Sequence, residues 1–180
     1  MRTQLLLTLP ALVVAAHLLT AADARAQVVF SEDFEVPDTT NFITFFAPQQ
    51  IVTASNTWQV VAESVDLYED AARAEAVAYE GGQAVDLAGS PGAGVIEAGF
   101  ATVSGRSYRL VFHYARNNLL GATPGQARID VEGGSPLLSV TVQHDPAQYA
   151  FSSQITFDEN FVADAPQATL RFTSLNAGNT

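Results

Sequence analysis

The sequence predicts an all-β protein, an antiparallel β-sandwich folded as one domain, on three observations. Apolar residues recur at every second position in many short segments, the spacing that turns one face of a strand towards a core. Turns bearing Gly, Pro, Asn or Asp separate these segments at short intervals. No segment keeps a helical period long enough to hold a helix by itself. Residues 80–116, EGGQAVDLAGSPGAGVIEAGFATVSGRSYRLVFHYAR, show the pattern best. Strands expected over 83–87, 95–102 and 108–114 follow one another as consecutive antiparallel strands, divided by Ser90-Pro91-Gly92-Ala93-Gly94 and by Ser104-Gly105-Arg106.

Taken in order, the chain starts with the three parts of an export signal: Arg2, an apolar run over 5–19, and Ala24-Arg25-Ala26 as a small-x-small cleavage pattern before Gln27. The run contains Pro10 and His17 and falls short of the roughly 20 residues a membrane-spanning helix needs, so cleavage after Ala26 is expected. Residues 1–26 are then a signal peptide and 27–180 the sandwich domain. A chain of that size buries roughly 68–70% of its unfolded surface in one core.

Val28, Val29 and Phe30 predict a short first strand that turns a corner at Phe34-Glu35-Val36-Pro37. Residues 38–50 carry Phe42, Ile43, Phe45 and Phe46 without a clear period and read as a loop over one end of the core. Strands are expected over 51–54 and 57–68, with a bulge or break at Glu63-Ser64, where the alternation of Trp58, Val60 and Ala62 shifts to Val65 and Leu67. EDAARAEAVA, residues 69–78, supports either a short helix or a loop. A polar loop over 117–125 leads to strands over 127–131, 138–142, 149–157 and 168–174. Eight or nine strands make two packed sheets.

Val65-Asp66-Leu67 recurs as Val85-Asp86-Leu87. In each, Val and Leu share the buried face and Asp points outward. Should the two strands be neighbours, opposed carboxylates would cost stability unless water or a cation lies between them, and calcium accepts oxygen ligands from several segments. Asp66 and Asp86 are therefore candidate calcium ligands.

The formal charge is −11, and the expected signal is itself net positive, so the remainder is more acidic still. Such a field repels nucleic acid and anionic lipid and attracts cations. It also keeps an exported domain soluble. The chain has no cysteine, which excludes disulfides, thiolate metal sites and cysteine nucleophiles. Its basic residues are all arginine, which excludes lysine chemistry. Absent cysteines and Asn-x-Ser/Thr acceptors fit a bacterial envelope.

Beyond the signal only His113 and His144 remain, with no His-Glu-x-x-His pattern. Gly133-Gly134-Ser135-Pro136-Leu137 lacks the second glycine of a nucleophile elbow, and Gly92-x-Gly94-x-x-Glu97 lacks the third of a dinucleotide fingerprint. A non-catalytic protein is expected, with glycoside cleavage by a carboxylate pair as a lesser alternative. Trp58, in a strongly alternating strand, reads as core. The ligand-binding candidates are Tyr68, Tyr79, Tyr114, Arg116 and Asn117, aromatics beside planar hydrogen-bonding groups near strand ends, a combination suited to a polyol.

Trp58-x-Val60, Ser64-Val65-Asp66-Leu67-Tyr68, Glu80-Gly81-Gly82-Gln83-Ala84-Val85-Asp86-Leu87-x-Gly89, Gly105-x-x-Tyr108-x-Leu110-x-Phe112 and Leu170-x-Phe172-Thr173-Ser174-Leu175 occur in an order and spacing that resembles the DUF642 family, whose bacterial relatives are called choice-of-anchor C proteins. The opening Val28-Val29-Phe30-x-x-x-Phe34-Glu35-x-Pro37 is similar to the family's start, where Asn-Gly-x-Phe-Glu is usual. The resemblance implies a galactose-binding-like jelly roll, secreted or on the cell surface, that binds cell-wall polysaccharide and brings no catalytic residues. By fold analogy it adds Glu35 as a further calcium ligand. Family members continue past Leu175 into a final strand and the bacterial ones into an anchor, so the resemblance implies a missing C-terminal strand and, if that strand belongs beside 28–30, an exposed sheet edge there. The leading expectation is an extracellular carbohydrate-binding module; a structural or adhesive protein with the sandwich as spacer is the second.

Overall fold

The computed structural model describes residues 27–70, 78–117, 120–151 and 153–176; the expected signal and most of EDAARAEAVA lie outside the described residues. Eleven strands occur among them: β1 (Phe42–Phe46), β2 (Gln50–Val52), β3 (Thr57–Ala62), β4 (Ser64–Glu69), β5 (Gln83–Asp86), β6 (Val95–Ala101), β7 (Ser107–Tyr114), β8 (Gly125–Glu132), β9 (Pro136–His144), β10 (Ile155–Val162) and β11 (Gln167–Ser174). Six form one sheet in the order β2-β3-β6-β11-β8-β9; the others form a three-stranded sheet, β1-β4-β5, and a two-stranded sheet, β10-β7. Every ladder is antiparallel.

One apolar cluster joins all three sheets. Trp58, Val60, Ile96, Ile129, Val131 and Leu170 of the six-stranded sheet meet Val65 of β4 and Phe157 and Phe161 of β10, with Phe45, Val85, Leu110 and Phe112 packed against them. The two smaller sheets therefore cover the same face of the larger one, and the molecule is the expected antiparallel jelly-roll sandwich with its second layer split in two. Each such fully buried side chain contributes about 1.5–3 kcal/mol of transfer free energy.

The break at Glu63-Ser64 is real: Glu63 has φ 47°, and the chain crosses there from β3 in one layer to β4 in the other. Other expectations are corrected. Residues 28–30 form no strand, and with them goes the expected sheet edge. Their segment is held by side chains: Phe30 and Phe34 pack on Trp58 with ring centroids 5.6 and 5.4 Å away. Residues 42–46, read as loop, are β1, an edge strand whose ladder to β4 is a tertiary feature that no local period announces. The strand expected over 149–157 begins only at Ile155, because Gln148 N and Tyr149 N close a turn on Asp145 O. The three strands of 80–116 are present but do not pair with one another: β5, β6 and β7 enter three different sheets.

Glu32 anchors the irregular start. Its Oε2 accepts from Thr53 Oγ1 (2.7 Å), Asn56 Nδ2 (3.0 Å) and Trp58 Nε1 (3.0 Å), and its Oε1 from the amides of Asp33 (3.1 Å) and Phe34 (3.0 Å). Trp58 is core, 1% exposed, and Glu32 supplies the acceptor its indole N–H needs there.

Candidate functional site

The split in the second layer makes the site. Among the described residues β5 and β7 each have one ladder partner, which leaves their other edges unpaired there. Between those edges opens a cleft of about 480 Å³, floored by Ile96, Ile129 and Phe172 of the opposite sheet and walled by residues 83–88 and 111–117. Alternation along β7 sends Tyr108, Leu110, Phe112 and Tyr114 to the core, which leaves His113 on the outer side. There Tyr79, 55% exposed, lies flat on His113, centroids 3.3 Å apart and planes within 8°. Thr156 Oγ1, 3.1 Å from His113 Nδ1, fixes the imidazole from the neighbouring strand.

Arg116 sits just beyond β7 with Nη1 donating to Gly121 O (2.7 Å), while its buried Nε–H has no protein acceptor among the described residues. Gly125 makes room for it, since a Cβ there would stand 2.8 Å from Arg116 Cβ. Asn117 Nδ2 donates to Asp86 Oδ2, and Gln83, Gln126 and Gln154 add amides to the lining. Burial, and secondarily the charge of Tyr149, pushes the Tyr114 phenol above its usual range, so it stays a neutral hydroxyl. Of the cleft's charged groups, Glu32, Asp33, Glu80 and Asp86 outnumber Arg116.

Four of the five predicted ligand residues, Tyr79, Tyr114, Arg116 and Asn117, line this one cleft. Tyr68 does not: it is 5% exposed on β4, its hydroxyl donating to Asp66 Oδ2 (3.1 Å) and its ring against Phe42. His113 was not among the candidates, although the alternation of β7 places it on the outer face. The amides of 83, 126 and 154 had no signal in the sequence, because only the fold gathers them.

The carboxylates divide into two places. Glu35 Oε1 accepts from Gly82 N and Gln83 N (3.0 Å each) at the start of β5. Asp66 and Asp86 stand directly opposite each other in the β4–β5 ladder, three positions further along β5. Asp66 is not outward as expected, because β4 is covered on both faces and Asp66 is 0% exposed, whereas Asp86 is half-buried and faces the cleft. Burial, opposed by hydrogen bonds from Ala88 N and Asn117 and reinforced by Asp66, raises Asp86 above the usual carboxylate range. Among the described residues, no three His, Asp or Glu side chains gather closely enough to hold a metal by themselves, so Glu35 does not share a site with the pair.

No family model matches this chain, and no curated protein does. Solved structures similar to it include the native family 35 carbohydrate-binding module from Clostridium thermocellum (17% identity, TM-score 0.43, covering 77% of this chain and 89% of that one). Another is the Arthrobacter globiformis T6 isomalto-dextranase complexed with panose (14% identity, TM-score 0.45, covering 80% of this chain and 22% of that one). A third is the exo-β-1,3-galactanase from Phanerochaete chrysosporium with β-1,3-galactotriose (19% identity, TM-score 0.38, covering 71% and 32%). Among the described residues no helix is long and apolar enough to cross a membrane.

Proposed function

We propose that this chain is an exported, non-catalytic binding module for an extracellular polysaccharide, with the cleft between β5 and β7 as its sugar site. The observation that carries the reading is a cleft of about 480 Å³ that gathers the exposed Tyr79 ring, stacked on His113, with the planar polar groups of Arg116 and Asn117. A sugar's C–H face lies on an aromatic ring while planar guanidinium and amide groups bond its hydroxyls. The acidic excess in the cleft disfavours uronic acids, so the preferred ligand is a neutral glycan. Both described histidines have structural partners, His113 with Thr156 and Tyr79, His144 with Ser153 O (2.8 Å), which supports binding over turnover. Export rests on the signal-like first 26 residues, and the DUF642 resemblance agrees with the cell-surface reading.

Affinity electrophoresis and calorimetry with neutral and acidic polysaccharides test this. Binding to a neutral polymer that is lost in Tyr79→Ala and Arg116→Ala supports it. A protein that binds no glycan is the structural spacer instead, and release of reducing sugar would make it a hydrolase.

A further inference from the structure

We propose that Asp66 and Asp86 form a divalent-cation site, filled by calcium, that ties β4 and β5 to the Asn117 side of the cleft. The argument starts from register. The two aspartates are cross-strand partners, where like charges oppose folding. Asp66 is wholly buried, and while its Oδ2 accepts from Tyr68, its Oδ1 has no hydrogen-bond partner among the described residues. An uncompensated buried carboxylate oxygen costs several kcal/mol in general, and a positive group beside it would offset that cost.

Among the described residues no arginine bonds that oxygen. Arg109, Arg128 and Arg171 are paired with Asp158, Asp130 and Glu97, and Arg116 is anchored on Gly121. Asp86 Oδ1 accepts from Ala88 N (2.8 Å), and its Oδ2 meets the Asn117 side-chain amide. A hard divalent ion suits what remains. Calcium takes six to eight oxygens from carboxylates, amide carbonyls, backbone and water, so two aspartates suffice when neutral oxygens complete the shell. Asn117 offers its side-chain carbonyl on reversal of the amide, and the strongly acidic chain concentrates cations around the site. Because Asp86 and Asn117 also line the cleft, the ion would order that rim, yet the inference does not depend on what the cleft binds.

The test is thermal unfolding of the polypeptide 27–180 in EDTA and in millimolar calcium chloride, with terbium emission as a second readout. Calcium raises the midpoint of the wild-type protein, on the order of 5–10 °C at a hundredfold excess over Kd. Asp66→Asn and Asp86→Asn each abolish that rise and the terbium signal, and Glu35→Gln keeps both. Two substituted variants guard against one failing to fold. Identical wild-type midpoints in EDTA and calcium overturn the proposal. So does a calcium response that persists in both aspartate variants, which would put the ion elsewhere.

Discussion

Removing Glu32 tests how the strandless start of the domain is held. In Glu32→Ala five hydrogen bonds are lost, and one of them leaves the indole N–H of a core tryptophan without an acceptor. Stranding a buried donor costs about 1–3 kcal/mol. Thr53 and Asn56 keep their other partners, Asn56 O and Ser31 O, the exposed Asp33 amide reaches water and the half-buried Phe34 amide loses its acceptor, so these four add roughly 1 kcal/mol together. The expected loss is about 2–4 kcal/mol, or roughly 5–15 °C in midpoint for a domain of this size. Urea unfolding followed by far-UV circular dichroism measures it without relying on Trp58 emission. Glu32→Gln, which keeps one carbonyl acceptor, should lose about half as much. A cycle with Trp58→Phe should return a coupling of about 1–2 kcal/mol. A Glu32→Ala protein within about 0.5 kcal/mol of wild type would refute the reasoning, because the segment would then be held by its other contacts, Phe30 and Phe34 on Trp58, Asn56 on Ser31 O and Gln83 on Phe34 O.

Further predictions concern the cleft and the hairpin turn. Gly125→Ala should weaken glycan binding about tenfold while the fold persists, since the new Cβ meets Arg116 at 2.8 Å and moves the guanidinium; calorimetry shows whether affinity falls. Asp164 is held below the usual carboxylate range, first by the Ser135 hydroxyl (2.6 Å) and then by Gly134 N (2.8 Å). A carboxylate lowered by folding stabilises above its unfolded pKa of about 4, and that contribution disappears as pH falls through the folded value. The melting temperature of Asp164→Asn should therefore fall less steeply below about pH 4 than that of wild type, as acid-range melting curves can show.

What the sequence revealed and what it hid follow from one physical fact: period two reports a half-buried strand but not its neighbour. The strands β5 to β9 and β11 were legible because each turns one apolar face to the core, and the break at Glu63 was legible because the phase shifts there. Their sheet membership was not, which is why three consecutive strands looked paired when they belong to three sheets. Edge strand β1 was missed because its partner β4 makes it a strand. Asp66 was placed outward because alternation assumes one solvent face, whereas the central strand β4 is covered on both. Tyr79 lies at the start of the 80–116 stretch and Tyr114, Arg116 and Asn117 at its end, and the fold brings the two ends to one cleft. Glu32 and His113 are not legible as anchor and ring partner because their roles come from partners far along the chain, Trp58 and Tyr79.

The most direct test of the seam as a sugar site is a titration of the 27–180 polypeptide with a panel of neutral polysaccharides, wild type beside Tyr79→Ala. Saturable binding of at least one polymer, weakened tenfold or more by the substitution, is the expected result. Equal affinity in both proteins, or a preference for polyuronates, would contradict it.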